Sequence, residues 1–157
     1  MPLLDLLQFC RELPARRNKA ALLLTPDVRK QCAYAAEIAT AVNAKHFDVL
    51  DAFQADAALA ARLAGFSTED FFSLLSEQRV PLLIVSGLEF LLASWLSQGN
   101  PKDVKRQFCQ QIELWEGRDK PAFLLVTQQD AIFASYEPTR HRGSRIVIPL
   151  SETQALS

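Results

Sequence analysis

The sequence holds 157 residues, 49% hydrophobic and 22% charged, with 17 Lys and Arg against 18 Asp and Glu. That length suits one domain able to bury roughly two thirds of its unfolded surface, and the proportions exclude a disordered, collagenous or coiled-coil chain. A net charge of -1 excludes a long-range pull on nucleic acid or anionic lipid, so any polyanion contact has to be local.

Leu3, Leu4, Leu6, Leu7, Phe9, Cys10 and Leu13 recur at helical spacing and Pro14 stops them, which predicts an amphipathic helix over 1–14. Arg16, Arg17, Asn18 and Lys19 read as a polar hinge. Ala20 to Leu24 is then a continuous apolar run, the pattern of a strand buried on both faces. Thr25-Pro26-Asp27 predicts a helix start with a Thr cap and Pro26 at the first helical position, and the helix extends to about Val42. His46 to Leu50 predicts a weaker strand, Ala55 to Ala64 a helix ending near Gly65, and Ser67-Thr68-Glu69-Asp70 the cap of a helix bearing Phe71, Phe72, Leu74 and Leu75.

Pro81 to Val85 is the second buried strand, followed by a helix from about Leu88 to Leu96. After the break at Gly99-Asn100-Pro101, Val104, Phe108, Ile112 and Trp115 mark one more amphipathic helix, and Trp95 and Trp115 read as core. Ala122 to Val126 is the third strong strand, Arg145 to Leu150 alternates as a fifth, and 151–157 form a polar tail. Strands separated by helices imply right-handed parallel crossovers covering both sheet faces. The expected fold is a single three-layer α/β domain over 1–157 with a mostly parallel five-stranded sheet.

No apolar stretch approaches the ~20 residues of a membrane span, and the amino terminus lacks the pattern of a secretory leader, so a cytoplasmic protein is expected. Cys10, Cys32 and Cys109 are widely spaced and read as small core hydrophobes in a reducing compartment. His46 and His141 are the only histidines and stand far apart, so neither a metal site nor a His-based triad is expected.

In open α/β sheets ligands sit at the carboxyl ends of the strands, which directs attention to the segments after Leu24, Val85 and Val126. Thr25 to Gln31 contains no glycine, although a phosphate-cradling loop needs several to aim backbone amides at the anion. Asp27 opposes a phosphate by charge, and Pro26 removes an amide donor. Lys30 stands about where a phosphate-neutralising lysine would, against the alternative of a solvated lysine. Ser86 occupies the position of the magnesium-holding acid, Glu89 is either a residual acid or a helix-start glutamate favoured by the macrodipole, and Thr127 is either a γ-phosphate sensor or a loop residue. Arg140, Arg142 and Arg145, with His141, make a dense basic run that suits a phosphate backbone or an acidic partner, against the alternative of a solvated turn.

The order of elements after residue 18 resembles the small P-loop protein family of bacterial BREX phage-defence systems (BrxF), compact relatives of the AAA-type ATPases. The resemblance rests on Ala20 to Val42, on Leu82 to Leu91, on Phe123 to Thr127 and on Tyr136-Glu137-Pro138 leading to Arg142 and Arg145. It implies a P-loop, AAA-like core and a role in antiviral defence beside a larger ATPase, methyltransferase or nuclease. The family's glycine-rich loop and acidic strand end are degenerate here, with only Lys30 in register and Ser86 in place of the acid. A non-catalytic accessory subunit acting by protein contact, with DNA contact or self-association open, is therefore the first expectation, and no catalytic residue or metal is assigned. The alternatives are an ATP- and Mg²⁺-binding switch using Lys30, Glu89 and Thr127, and a regulatory domain of flavodoxin-like topology.

Overall fold

The computed structural model describes residues 3–138 and 146–154. Five strands, β1 (Ala20–Thr25), β2 (Lys45–Asp48), β3 (Leu82–Ser86), β4 (Ala122–Gln128) and β5 (Val147–Pro149), pair in parallel in the order β2-β3-β4-β1-β5. The three apolar runs occupy the centre because only central strands bury both faces. Alternate side chains divide between two cores, with Leu22, Leu24, Leu83, Val85, Phe123 and Leu125 on one face and Leu23, Ile84, Leu124 and Val126 on the other.

The second face is covered by α1 (Leu6–Glu12) and α2 (Gln31–Val42). The first receives α3 (Val49–Ala55), α4 (Ala57–Ala61), α5 (Thr68–Ser76), α6 (Glu89–Leu96), α7 (Pro101–Glu113) and α8 (Ala131–Ala134). This division follows from right-handed crossovers. The chain steps one way from β1 out to β2 and returns the opposite way through β3 and β4 to β5, so α2 and the later helices must lie on opposite faces. Aromatic side chains fill the first face, where Trp115 and Phe123 meet edge to face at 4.9 Å and Phe71 meets Trp95 at 5.7 Å. Both indoles are buried, and their Nε1–H groups donate to the carbonyls of Phe66 and Pro121 at 2.8 Å.

Several local expectations are corrected. Pro26 lies before the helix rather than inside it: Thr25 spends its hydroxyl on the Thr127 carbonyl at 3.1 Å, and a short 3-10 turn, Val28–Lys30, precedes α2. β2 stops at Asp48, whose Oδ1 accepts the Asp51 amide at 2.9 Å and so starts α3. The helix expected over 55–64 is broken at Asp56, which caps α4 through the amides of Ala58 and Leu59 at 3.0 and 3.2 Å. The expected hinge is partly interior. Asn18 is buried and donates to the carbonyls of Ile112 and Glu113, both at 3.0 Å, ending α7. Lys19 donates its ammonium to the carbonyls of Gly117 and Lys120 at 3.1 and 2.7 Å.

The flavodoxin-like alternative is excluded by strand order, because that topology sets β1 between β2 and β3, whereas here β1 lies between β4 and β5. The capping box at Ser67 and Asp70 forms as its spacing predicts. The tail is bonded as far as Gln154, with Leu4 N donating to Glu152 O and Gln154 N to Leu4 O, each at 2.8 Å. Among the described residues, no helix is long and apolar enough to cross a membrane.

Candidate functional site

The chain leaves β1 toward one face and β4 toward the other. Adjacent parallel strands whose connections diverge in this way open a crevice at their carboxyl ends, the position where α/β sheets bind ligands. Here the crevice is crossed by the protein's own groups. The Glu89 carboxylate, on the first residue of α6, accepts from Gln31 Nε2 at 3.2 Å and from the Gln128 amide at 2.8 Å. Thr25 Oγ1 donates to Thr127 O at 3.1 Å, and Gln129 N donates to Thr25 O at 2.7 Å, joining the two strand ends directly.

Of the sequence-selected residues, the structure therefore joins Glu89 to the end of β4, one residue beyond Thr127. The Thr127 side chain is 1% exposed, and its Oγ1 has no hydrogen-bond partner among the described residues. Lys30 is exposed at the end of the 3-10 turn, on the rim of a hollow of about 120 Å³ lined by Thr25, Pro26, Asp27, Gln31, Tyr34 and Leu150. The Asp27 carboxylate faces Arg29, accepting its backbone amide at 3.0 Å and pairing with its guanidinium at 3.4 Å. Arg140, Arg142 and Arg145 lie outside the described residues.

A second constellation, not expected from the sequence, lies at the carboxyl ends of β2 and β3 beneath the start of α2. Cys32, His46 and Asp48 each bring a ligand atom within 4.8 Å of the others. Ser86, at the end of β3 and fully buried, holds the group together: its Oγ donates to Asp48 Oδ2 at 3.0 Å and lies 2.8 Å from His46 Nε2. A carboxylate only accepts, so the single Ser86 proton serves Asp48 and the imidazole Nε2–H donates to Ser86 Oγ. Gly87 has φ +75°, and a Cβ there would stand 2.6 Å from Asp48 Oδ1. Only glycine lets the carboxylate lie against this backbone.

The expectation that all three cysteines are core hydrophobes is thus corrected for Cys32, which is exposed. Burial pushes the Cys10 and Cys109 thiols up to about 12. The Cys32 thiol is also raised, by desolvation and then by the hydrogen bond and charge of Asp48 and the charge of Asp51, against an opposing hydrogen bond from Ser86. A raised thiol is the reverse of an activated nucleophile. His46 also bonds to Ser86 rather than directly to Asp48, so the arrangement is not a Cys-His-Asp relay.

Sequence reasoning missed this group because Cys32 and His46 are separated by the length of α2. The available signal was topological. In a parallel crossover, the first turn of the helix and the last residues of the next strand lie at the same edge of the sheet. No protein-family model, curated protein or solved structure matches this chain.

Proposed function

We propose that the chain is a non-catalytic, P-loop-like accessory subunit of a prokaryotic anti-phage defence complex, acting by protein-protein contact. The observation that carries the loss of nucleotide chemistry is the Glu89 bridge. A carboxylate at the crevice takes the Gln31 and Gln128 donors that an incoming anion would need, and like charge opposes a phosphate there. The turn after β1 adds no compensating set of amides, since it contains Pro26 and no glycine. The acid that would hold Mg²⁺ at the end of β3 is Ser86.

The placement of β1 between β4 and β5 agrees with the AAA-type core that the BREX resemblance implies, and the resemblance supplies the defence setting and the larger partner. Arg140, Arg142 and Arg145 are the proposed partner or DNA contact, because arginine pairs with phosphate or carboxylate through two parallel hydrogen bonds. Co-purification from the native host with mass spectrometry tests this reading. Recovery of a larger defence subunit supports it, and recovery of the chain alone contradicts it.

A second reading, a nucleotide-binding switch, is favoured by one observation, the buried Thr127 hydroxyl at the end of β4, which has no hydrogen-bond partner among the described residues. Titration with ATP and Mg²⁺ separates the two. Saturable binding lost in Lys30→Ala and Thr127→Val selects the switch.

A further inference from the structure

We propose that Cys32, His46 and Asp48 form a three-ligand site for a thiophilic divalent transition metal of the Zn²⁺ class, with a fourth position open to water or a small ligand. The donor set chooses the metal. Mg²⁺ and Ca²⁺ take oxygen ligands, whereas a thiolate with an imidazole and one carboxylate suits Zn²⁺ and its neighbours. Three protein ligands with an open fourth position are the pattern of zinc sites that engage a further molecule, as opposed to closed structural sites with four.

The geometry is near that requirement. Zn–S and Zn–N bonds of about 2.3 and 2.0 Å place tetrahedral ligands roughly 3.5 Å apart, and the three donors already lie within 4.8 Å of one another. The remaining approach of about 1 Å requires a small side-chain adjustment, which the exposed position of Cys32 permits on its side of the site. The other two donors are held in place. His46 and Asp48 are neighbours on one face of β2, two residues apart as the strand's alternation requires.

The surrounding groups fit the same purpose. Ser86 bonds both the imidazole and the carboxylate, as the outer partners of metal ligands do. Gly87 leaves room for the carboxylate against the backbone. Asp48 retains its second task of capping α3 through Oδ1, so the strand end that carries two ligands is anchored independently of any metal. The site also restores an acid near the end of β3: Asp48, one strand outward, stands 3.0 Å from the serine found in the magnesium-acid position.

Binding displaces the thiol proton, so the complex gains a metal–sulfur bond and releases one proton to solvent at neutral pH. No redox step is involved.

Titration of the full chain with Co²⁺ under reducing conditions tests the site, because a cobalt–thiolate bond gives a near-ultraviolet charge-transfer band and tetrahedral coordination gives intense visible bands. The expected result is one Co²⁺ per chain with both features, erased by added Zn²⁺. Cys32→Ser should lose the charge-transfer band and bind at least tenfold more weakly. His46→Gln and Asp48→Asn should each weaken binding at least tenfold, and Asn keeps the helix cap in place. Zn²⁺ should raise the melting temperature of the wild type and not that of Cys32→Ser. A wild type without the charge-transfer band, or a band of equal strength in Cys32→Ser, overturns the proposal. Since Cys32 is exposed, its serine variant folds, and the decisive comparison does not depend on the other two.

Discussion

The carboxylate of Glu89 accepts the backbone amide of Gln128 at 2.8 Å, so the first residue of one helix closes the carboxyl end of the strand beside β1. The same carboxylate holds Gln31, the first residue of α2, at 3.2 Å. One side chain thus ties together the two connections whose divergence would otherwise open a ligand crevice.

Glu89→Ala should lower the unfolding free energy by about 1–2 kcal/mol, since it strips the acceptor from two donors, one of them on the buried Gln31. Glu89→Gln keeps a carbonyl acceptor and should lose less. Urea denaturation with both variants checks the order, and equal stability of wild type and Glu89→Ala would show that the bridge is incidental.

Leu83→Asp and Leu125→Asp should yield no folded protein. Both residues are fully buried in central strands, where an unpaired carboxylate is very costly. Leu125→Ala should fold with a loss of about 2–5 kcal/mol. Normal circular dichroism and melting of either Asp variant would refute the central placement of these strands.

The central sheet was legible because Ala20 to Leu24, Leu82 to Val85 and Ala122 to Val126 are apolar without interruption, and only burial on both faces explains that. β2 was legible in outline alone. As an edge strand it leaves Lys45 exposed and Asp48 half-buried, and nothing in its composition shows that Asp48 ends it. Asn18 and Lys19 were misread as a hinge because their burial depends on carbonyls about a hundred residues away. Of the candidate site, the missing glycines and the absent acid were visible in the sequence, whereas the Glu89 bridge depends on tertiary contacts between separate crossovers and the Cys32, His46 and Asp48 group on the return of β2 beneath the start of α2 within one crossover.

Asp130 should make stability depend on acid pH. Burial alone would raise its carboxyl, but Lys105 and the amides of Phe133 and Ile132 outweigh that and hold it below its ordinary value of 3.8. A folded pKa below the unfolded one means that the stabilisation is complete above the unfolded value and is lost as pH falls through the folded value. Asp130→Asn keeps the cap of α8 yet should be less stable than wild type at neutral pH, and the gap should narrow as pH falls below about 3.8 and close once pH is below the folded value. Urea midpoints across pH check this, and a gap that stays constant into acid would remove the ion pair from the account.

Replacing Arg140, Arg142 and Arg145 together with Glu should weaken the complex with the native partner or with DNA by an amount that shrinks as salt rises. Pull-down and a DNA shift assay at two salt concentrations provide the readout. A folded triple variant that matches wild type in both assays would leave the basic run without a binding role.

The most direct test of the central claim is calorimetric titration of the purified full chain with ATP and Mg²⁺, run beside a phosphate-release assay. With the crevice bridged by Glu89 and no glycine in the Thr25 to Gln31 turn after β1, the expected result is no saturable heat and turnover no higher than buffer. Saturable binding, or turnover that disappears in Lys30→Ala, would contradict it.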